Sequence, residues 1–250
     1  MTVNFLMDSK MILNNKIAIV TGASSGLGIS FSKKLTEKGV TVYGLARRLS
    51  KLEEIRDELG KQFIPVQMDI TESEDIENWI GSTFMNDHIP HILINNAGLG
   101  LFGNVEDLTV EEWNKMIQTN LNGVFYITRK VVPLMKLYEG HCHILNIASV
   151  AGLLGNPKLS GYNATKYGLR GFSEALFKEL RYDKIKVSTL FPGSIATSFF
   201  DHSEGIDVHP NMLHPDDVAD TLIHLLETPD NFLINEITMR PLNPKNPDEL

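Results

Sequence analysis

Cysteine is almost missing from this chain: Cys142 is the only one in 250 residues. An internal disulfide is excluded, and the composition reads as that of a protein from a reducing compartment, the cytoplasm. No stretch approaches the ~18 apolar residues of a membrane span. The opening MTVNFLMDSKMILNNK lacks the basic-then-apolar order of a secretory signal. Positive charge is also scarce. With 23 Lys and Arg against 31 Asp and Glu the formal net charge is −8, which argues against a nucleic-acid partner, because phosphate binding needs a basic surface. Internal repeats, low-complexity tracts and linkers are absent too. The simplest organisation is a short arm over residues 1–15 and one domain over residues 16–250.

What is present is an alternation of two hydrophobic periods. Short β-branched or apolar runs at 16–20, 40–45, 63–68, 91–94, 143–148, 185–191 and 232–238 read as strands. Between them, spacing predicts helices at 29–38, 49–59, 73–85, 110–138, 159–182 and 215–227. Ser73 is the expected cap of the third, Pro133 the expected kink or break in the fourth, and Pro215 suits a first helical turn. Strands alternating with helices predict an α/β fold of the Rossmann type: a doubly wound parallel sheet of about seven strands, covered by helices on both faces. Ligands of such sheets bind outside the carboxyl ends of the strands. Thr21, Arg47, Asp69, Asn95, Ser149 and Pro192 all fall there.

The first strand runs into TGASSGLG, residues 21–28, and then a helix. Gly22, Gly26 and Gly28 permit a tight turn and close approach of a pyrophosphate to backbone N–H groups, at a helix end whose dipole favours anions. The turn lacks the Lys–Ser/Thr ending of a P-loop, which disfavours nucleotide hydrolysis. At the end of the second strand stands Ala46, where NAD-preferring folds place an acid for the ribose 2′-hydroxyl. Arg47 and Arg48 follow. They read either as a solvated pair or as donors to a 2′-phosphate, helped by Ser25. NADP(H) is therefore favoured over NAD(H). Asp69 reads either as a turn cap or as a carboxylate facing an adenine amino group.

Tyr-x-x-x-Lys occurs three times, at Tyr126–Lys130, Tyr162–Lys166 and Tyr182–Lys186. Context separates them. Only Tyr162 has a serine at a strand end shortly before it, Ser149; the equivalent positions before the other two are Trp113 and Leu169. On a helix Lys166 shares a face with Tyr162. An ammonium there is expected to lower the tyrosine pKa from about 10 and make Tyr162 a general acid or base. Ser149 can hydrogen-bond a substrate oxygen as charge develops on it. These roles suit hydride transfer to a carbonyl, or the reverse oxidation.

With those residues in view, the chain resembles the short-chain dehydrogenase/reductase family over residues 16–241. TGASSGLG is similar to the family's TGxxxGxG turn, and NNAG at residues 95–98 to its motif after the fourth strand. Asn120 in TNLNG, with Ser149, Tyr162 and Lys166, corresponds to the catalytic tetrad, and PGSIAT at residues 192–197 to the segment that contacts the nicotinamide. The resemblance implies strand order 3-2-1-4-5-6-7 and a homodimer or homotetramer formed through two long helices. It also implies that Lys166 hydrogen-bonds the nicotinamide ribose and that the Asn120 backbone holds a water. The implied cofactor set is Gly22, Ser24, Ser25, Gly26, Leu27, Gly28, Arg47, Arg48, Asp69, Ile70, Asn96, Ala97, Gly98, Tyr162, Lys166, Pro192, Gly193, Ile195 and Thr197. The alternatives are an NAD(H) enzyme of the same family and a non-catalytic dinucleotide sensor.

The expected substrate contacts are Ser149, Tyr162, Leu154 and Phe199, within an apolar lining that adds Leu99, Leu101, Phe102, Leu153 and Phe200. The substrate loop, residues 194–214, carries Asp201, Glu204 and Asp207 and no Lys or Arg. The ending INEITMRP resembles reductases of small polar aldehydes and 3-hydroxy acids. No metal site is expected: His141 and His143 flank Cys142, and His202, His209 and His214 are widely spaced.

Overall fold

The computed structural model describes residues 10–85, 87–197, 199 and 208–247. Its centre is a sheet of seven strands, all parallel, in the order β3-β2-β1-β4-β5-β6-β7. These are β1 (Ile17–Thr21), β2 (Thr41–Ala46), β3 (Phe63–Gln67), β4 (Ile92–Asn95), β5 (Cys142–Ile147), β6 (Ile185–Pro192) and β7 (Glu236–Met239). The expected strand order therefore stands. β7 is shorter than the run at 232–238 predicts, and its partial exposure fits a sheet edge.

The pleat divides each central strand between two cores. Ala18 and Val20 of β1 face one apolar cluster, and Ile17 and Ile19 the other. Along β5, Leu145 and Ile147 join the first, Cys142 and Ile144 the second. Side chains alternate across a strand, so a strand covered on both faces is buried throughout, as β1 and β5 are; the polar residues of β5 are hydrogen-bonded, His143 to Ser188 and Asn146 to Ser173. Helices α1 (Leu27–Glu37), α2 (Leu49–Leu59) and α7 (Pro215–Leu226) cover the first face. Helices α3 (Ser73–Thr83), α5 (Gly123–Met135) and α6 (Ser160–Leu180) cover the second. Met11 and Leu13, from the expected arm, are buried in the first cluster, and Lys10 bridges to Pro229. The packed structure thus begins before residue 16.

Two helix expectations are corrected. Ser73 is the first residue of α3 rather than its cap; Glu72 holds that position, and no side chain caps the helix. Glu74 and Asp75 in the first turn supply the favourable negative charge instead. The predicted helix over 110–138 does not break at Pro133, which lies inside α5. Proline removes one N–H bond, and α5 ends two residues later, so little helix remains to be disturbed. The irregularity lies earlier: α4 (Val110–Ile117) passes into a π-helical segment, Gln118–Asn122, before α5 begins. An extra residue per turn at such a segment widens the helix, and π segments are frequent at functional sites.

Gly44 shows how tightly the β2 edge is packed. A Cβ there would lie 2.2 Å from Cζ of the buried Phe63 ring and 3.1 Å from Ala23 Cβ. Overpacking of this kind costs roughly 1–3 kcal/mol. Gly44→Ala is expected to lower Tm by about 2–12 °C, on the scale of ~2–4 °C per kcal/mol for a chain of this size. An unchanged thermal melt would contradict that packing.

Candidate active site

The carboxyl ends of β1 to β6 open into one cleft of about 1360 Å³. That exceeds the roughly 300–1,000 Å³ of an ordinary small-ligand pocket. The cleft starts at Arg47 and Arg48, passes over the glycine turn and ends among Tyr162, Phe102 and Phe199.

The glycine turn is fastened to the fourth strand's motif. Thr21 Oγ1 accepts from the backbone N–H of Asn96 and of Ala97, both at 3.0 Å, and donates to Ile94 O. Asn96 Nδ2 donates to Thr21 O at 2.9 Å and Gly22 O at 3.3 Å. A Cβ on Gly22, whose φ is +67°, would lie 2.8 Å from Ala97 Cα. A Cβ on Gly28 would lie 2.2 Å from Gly22 O. These glycines let the turn, β4 and α1 meet without side chains between them. Gly26 caps α1 with no side-chain hydrogen bond, and the first turn has no acid. The positive end of the helix dipole is left uncompensated, as an anion-binding terminus requires. Gly26 faces Thr197, with 3.2 Å between its would-be Cβ and Thr197 Cγ2, so the Pro192–Thr197 segment closes the other side. Gly193 N–H is held by Met239 O, and Ile195 pairs with Leu213.

At the end of β2, Ala46 is buried and Arg47 and Arg48 are exposed. Arg48 Nη2 donates to Ser24 Oγ at 3.4 Å, and Gln67 Nε2 to Arg47 O. Asp69 Oδ1 accepts from Thr71 N and Thr71 Oγ1 at 3.0 and 2.8 Å, a turn-capping use, while the residue still lines the cleft. Ile70 beside it is packed against Gly123, where a Cβ would meet Ile70 Cδ1 at 2.7 Å.

Ser149, Tyr162 and Lys166 meet at the floor. Ser149 follows β5, and its Oγ accepts from Ala151 N at 3.1 Å. Tyr162 and Lys166 project from the first turns of α6 and are both buried. Lys166 Nζ donates to Ile147 O at 2.9 Å and lies 5.6 Å from the centre of the Tyr162 ring. Burial pushes the Tyr162 phenol up to about 12, against a smaller opposite pull from its hydrogen bond with Ser149. Burial also brings the Lys166 ammonium down to about 8. The expected depression of the tyrosine by the lysine is therefore corrected. The ammonium donates to a carbonyl rather than to the phenol, and loss of water outweighs the one opposing pull on the phenol, its hydrogen bond with Ser149.

Asn120 lies in the π segment. Its Oδ1 accepts from Leu99 N at 2.9 Å, and its Nδ2 donates to Leu99 O at 2.8 Å and Thr165 Oγ1 at 3.0 Å. Thr165 Oγ1 in turn donates to Tyr162 O. The side chain of Asn120 thus ties the loop after β4 to the helix that carries Tyr162. The other two Tyr-x-x-x-Lys pairs separate. Lys130 pairs with Glu77 at 2.6 Å, although Tyr126 touches the cleft. Tyr182 is exposed, and Lys186 bonds to Thr228 and to Pro229 O.

The apolar end matches expectation only in part. Leu99, Leu101, Phe102 and Phe199 pack around Tyr162, Met116 and Ala151. Leu153 instead packs against Val124, Ala148, Leu169 and Phe191. Leu154 is exposed and outside the cleft lining, although its carbonyl is tied to α6 by Asn163 Nδ2. Phe200, Asp201, His202, Glu204 and Asp207 lie outside the described residues. Lining residues not foreseen include Leu45, Met68, Thr71, Glu72, Lys115, Gln118, Thr119 and Leu159. Gln118 and Thr119 adjoin Asn120 in sequence, but only the π segment turns them inward.

Among the described residues no group of three or more His, Cys, Asp or Glu could hold a metal ion, and no helix is long and apolar enough to cross a membrane. His141 pairs with Asp230 at 3.3 Å, His143 is buried against Ser188, and burial raises the Cys142 thiol to about 12.

Comparison with known proteins agrees with this geometry. The short chain dehydrogenase family model matches residues 16–205. An uncharacterized oxidoreductase of Staphylococcus epidermidis is 32% identical over 233 residues, spanning 92% of this chain and 99% of its own. Among solved structures, the closed form of serine dehydrogenase complexed with NADP+ is 31% identical with a TM-score of 0.81, covering 89% of this chain and 94% of that one. A 3-ketoacyl-(acyl-carrier-protein) reductase from Brucella melitensis complexed with NADH is 30% identical with a TM-score of 0.84, covering 92% and 98%. The chain belongs to the short-chain dehydrogenase/reductase family and is an NAD(P)-dependent oxidoreductase.

Proposed function

We propose that this protein interconverts a carbonyl compound and a secondary alcohol with NADP(H), Tyr162 passing the proton at the substrate oxygen. The observation that carries this reading is the meeting of Ser149, Tyr162 and Lys166 at one end of a cleft whose other end holds Arg47 and Arg48. The cleft suits a dinucleotide: Gly22, Gly26 and Gly28 leave a groove without side chains at an uncompensated helix terminus. Gly22, Ser24, Ser25, Gly26, Leu27 and Gly28 would hold the pyrophosphate, with Asp69, Ile70 and Asn96 to Gly98 along the adenosine side. Pro192, Gly193, Ile195 and Thr197 would border the nicotinamide. A bound nicotinamide supplies or accepts the hydride.

The protein's part is proton handling and orientation. The Tyr162 phenol, raised by burial, stays protonated at neutral pH and so holds a proton for the carbonyl oxygen. Ser149 donates to the same oxygen and stabilises charge there. Lys166 supplies a cation beneath the pair, and Asn120, through Thr165, fixes the backbone of Tyr162. NADP(H) is favoured because Ala46 has no acid to offer a ribose 2′-hydroxyl and Arg47 and Arg48 follow it, as an NADP+-bound neighbour also suggests. The NADH-bound neighbour keeps NAD(H) as the second reading. Self-association fits the exposed Trp113 of α4, Phe125 of α5 and Tyr167 of α6, and the lone buried Cys142 suits the cytoplasm.

Tyr162→Phe is expected to lower turnover by about 10²–10⁴-fold while leaving NADPH affinity within a few-fold, read by NADPH oxidation and fluorescence titration. Retained turnover would remove Tyr162 from the proton-donor role. The double variant Arg47→Ala, Arg48→Ala is expected to weaken NADPH binding about tenfold, discounting for solvent exposure, and to change NADH binding little. Equal weakening of both cofactors would sink the 2′-phosphate assignment. The lowered Lys166 value has a sign. Lysine is a cation below its pKa and neutral above, so kcat/KM for carbonyl reduction should decline above about pH 8. A profile flat to pH 10 would contradict the contribution of its charge.

A further inference from the structure

Three rings enclose the reacting end of the cleft. The Phe102 and Tyr162 centroids are 5.7 Å apart, edge to face at 75°. Tyr162 and Phe199 are 5.9 Å apart, and Phe102 and Phe199 6.4 Å. Leu99, Leu101 and Leu159 extend the same wall. The rings converge because position 100 has no side chain. A Cβ on Gly100 would lie 2.6 and 2.7 Å from two carbons of the Phe102 ring and 3.1 Å from Phe199 Cζ. Both rings therefore occupy the space over Gly100.

Charge in this region is sparse. The cations that line the cleft are Arg47, Arg48, Lys115 and Lys166. Arg47 and Arg48 stand at the β2 end, and Lys166 is held by Ile147 O. Lys115 is on the exposed side of α4, while its neighbour Met116 is buried in the aromatic cluster. A carboxylate placed between Phe102 and Phe199 would lose its water, while the nearest buried ammonium, Lys166, lies beneath Tyr162 and already donates to Ile147 O. An apolar substituent would gain ring contact.

We propose that the substrate is an uncharged ketone carrying an aryl or similarly bulky apolar group, selected by Phe102 and Phe199 above Gly100. The inference rests on the oxidoreductase reading and narrows it to a substrate class distinct from small polar 3-hydroxy acids.

The test compares NADPH-dependent reduction of phenylacetone, its para-carboxylated analogue and butanone, with NADP+-dependent oxidation of serine in parallel. Phenylacetone should exceed its carboxylated analogue by at least about tenfold in kcat/KM, the scale on which pockets discriminate. Phe102→Ala should reduce kcat/KM for phenylacetone about tenfold more than for butanone, with Phe102→Leu intermediate and thermal melting reporting that both variants fold. Preference for the carboxylated ketone or for serine, or equal losses on both ketones, overturns the proposal. Serine oxidation abolished by Tyr162→Phe would overturn it while upholding the proton-donor reading. If nothing in the set is turned over, the oxidoreductase reading fails for this set, and binding still decides. Phenylacetone must then bind the NADP+ complex more tightly than its carboxylated analogue, and the reverse order overturns the proposal.

Discussion

One buried hydrogen bond governs the catalytic end of this molecule: Lys166 Nζ to the carbonyl of Ile147, at 2.9 Å. An ammonium out of water is costly, and its position is consequently constrained. Ile147 is the last residue of β5, so the bond fixes α6 against the carboxyl edge of the sheet at the point where Ser149 leaves it. Tyr162, one helical turn earlier, is brought over Ser149 by the same contact. Gly152 also packs directly on the α6 backbone, since a Cβ there would lie 2.8 Å from the main-chain oxygen of Lys166. A buried cation, a strand end and a glycine turn therefore hold one another, and the order of groups on the cleft floor follows.

The same end of α6 is held from the other side by Asn120. Its amide uses both ends, on Leu99 and Thr165, so it acts as a clasp between the loop after β4 and the helix bearing Tyr162. A regular helix from α4 into α5 would present residue 120 at a different angle; the widened turn at Gln118–Asn122 sets it. Helical strain and a satisfied buried amide are thus two aspects of one arrangement. At the cofactor end the clasp is Thr21, which takes two backbone N–H groups from the Asn96–Ala97 turn.

The fold was legible because its sheet is parallel and doubly covered. Such strands are mostly apolar on both faces, and a run such as IAIVT shows this without structural help. The glycine turn was legible for a steric reason: positions 22 and 28 have no room for any other residue. What the pattern did not disclose depended on three-dimensional context. Pro133 announces a break but sits where α5 is about to end. The π segment has no compositional mark. Leu153 and Leu154 have the right polarity for a substrate wall, yet one turns into a neighbouring cluster and the other outward, while Asn163 holds their loop by its carbonyls.

The tyrosine shows why spacing alone misjudges chemistry. An i, i+4 pair establishes proximity, and proximity to a cation argues for a low phenol pKa. Proximity in this cleft comes with burial of both partners, and burial opposes the charged form of each. The phenol rises and the ammonium falls, so both move toward their neutral states. A phenol raised in this way keeps its proton at neutral pH, and burial is the larger cause. The apolar rings that enclose Tyr162 contribute to that burial, since Phe102 and Phe199 exclude the water that would stabilise a phenolate. Ring packing and the proton affinity of Tyr162 thus have one origin.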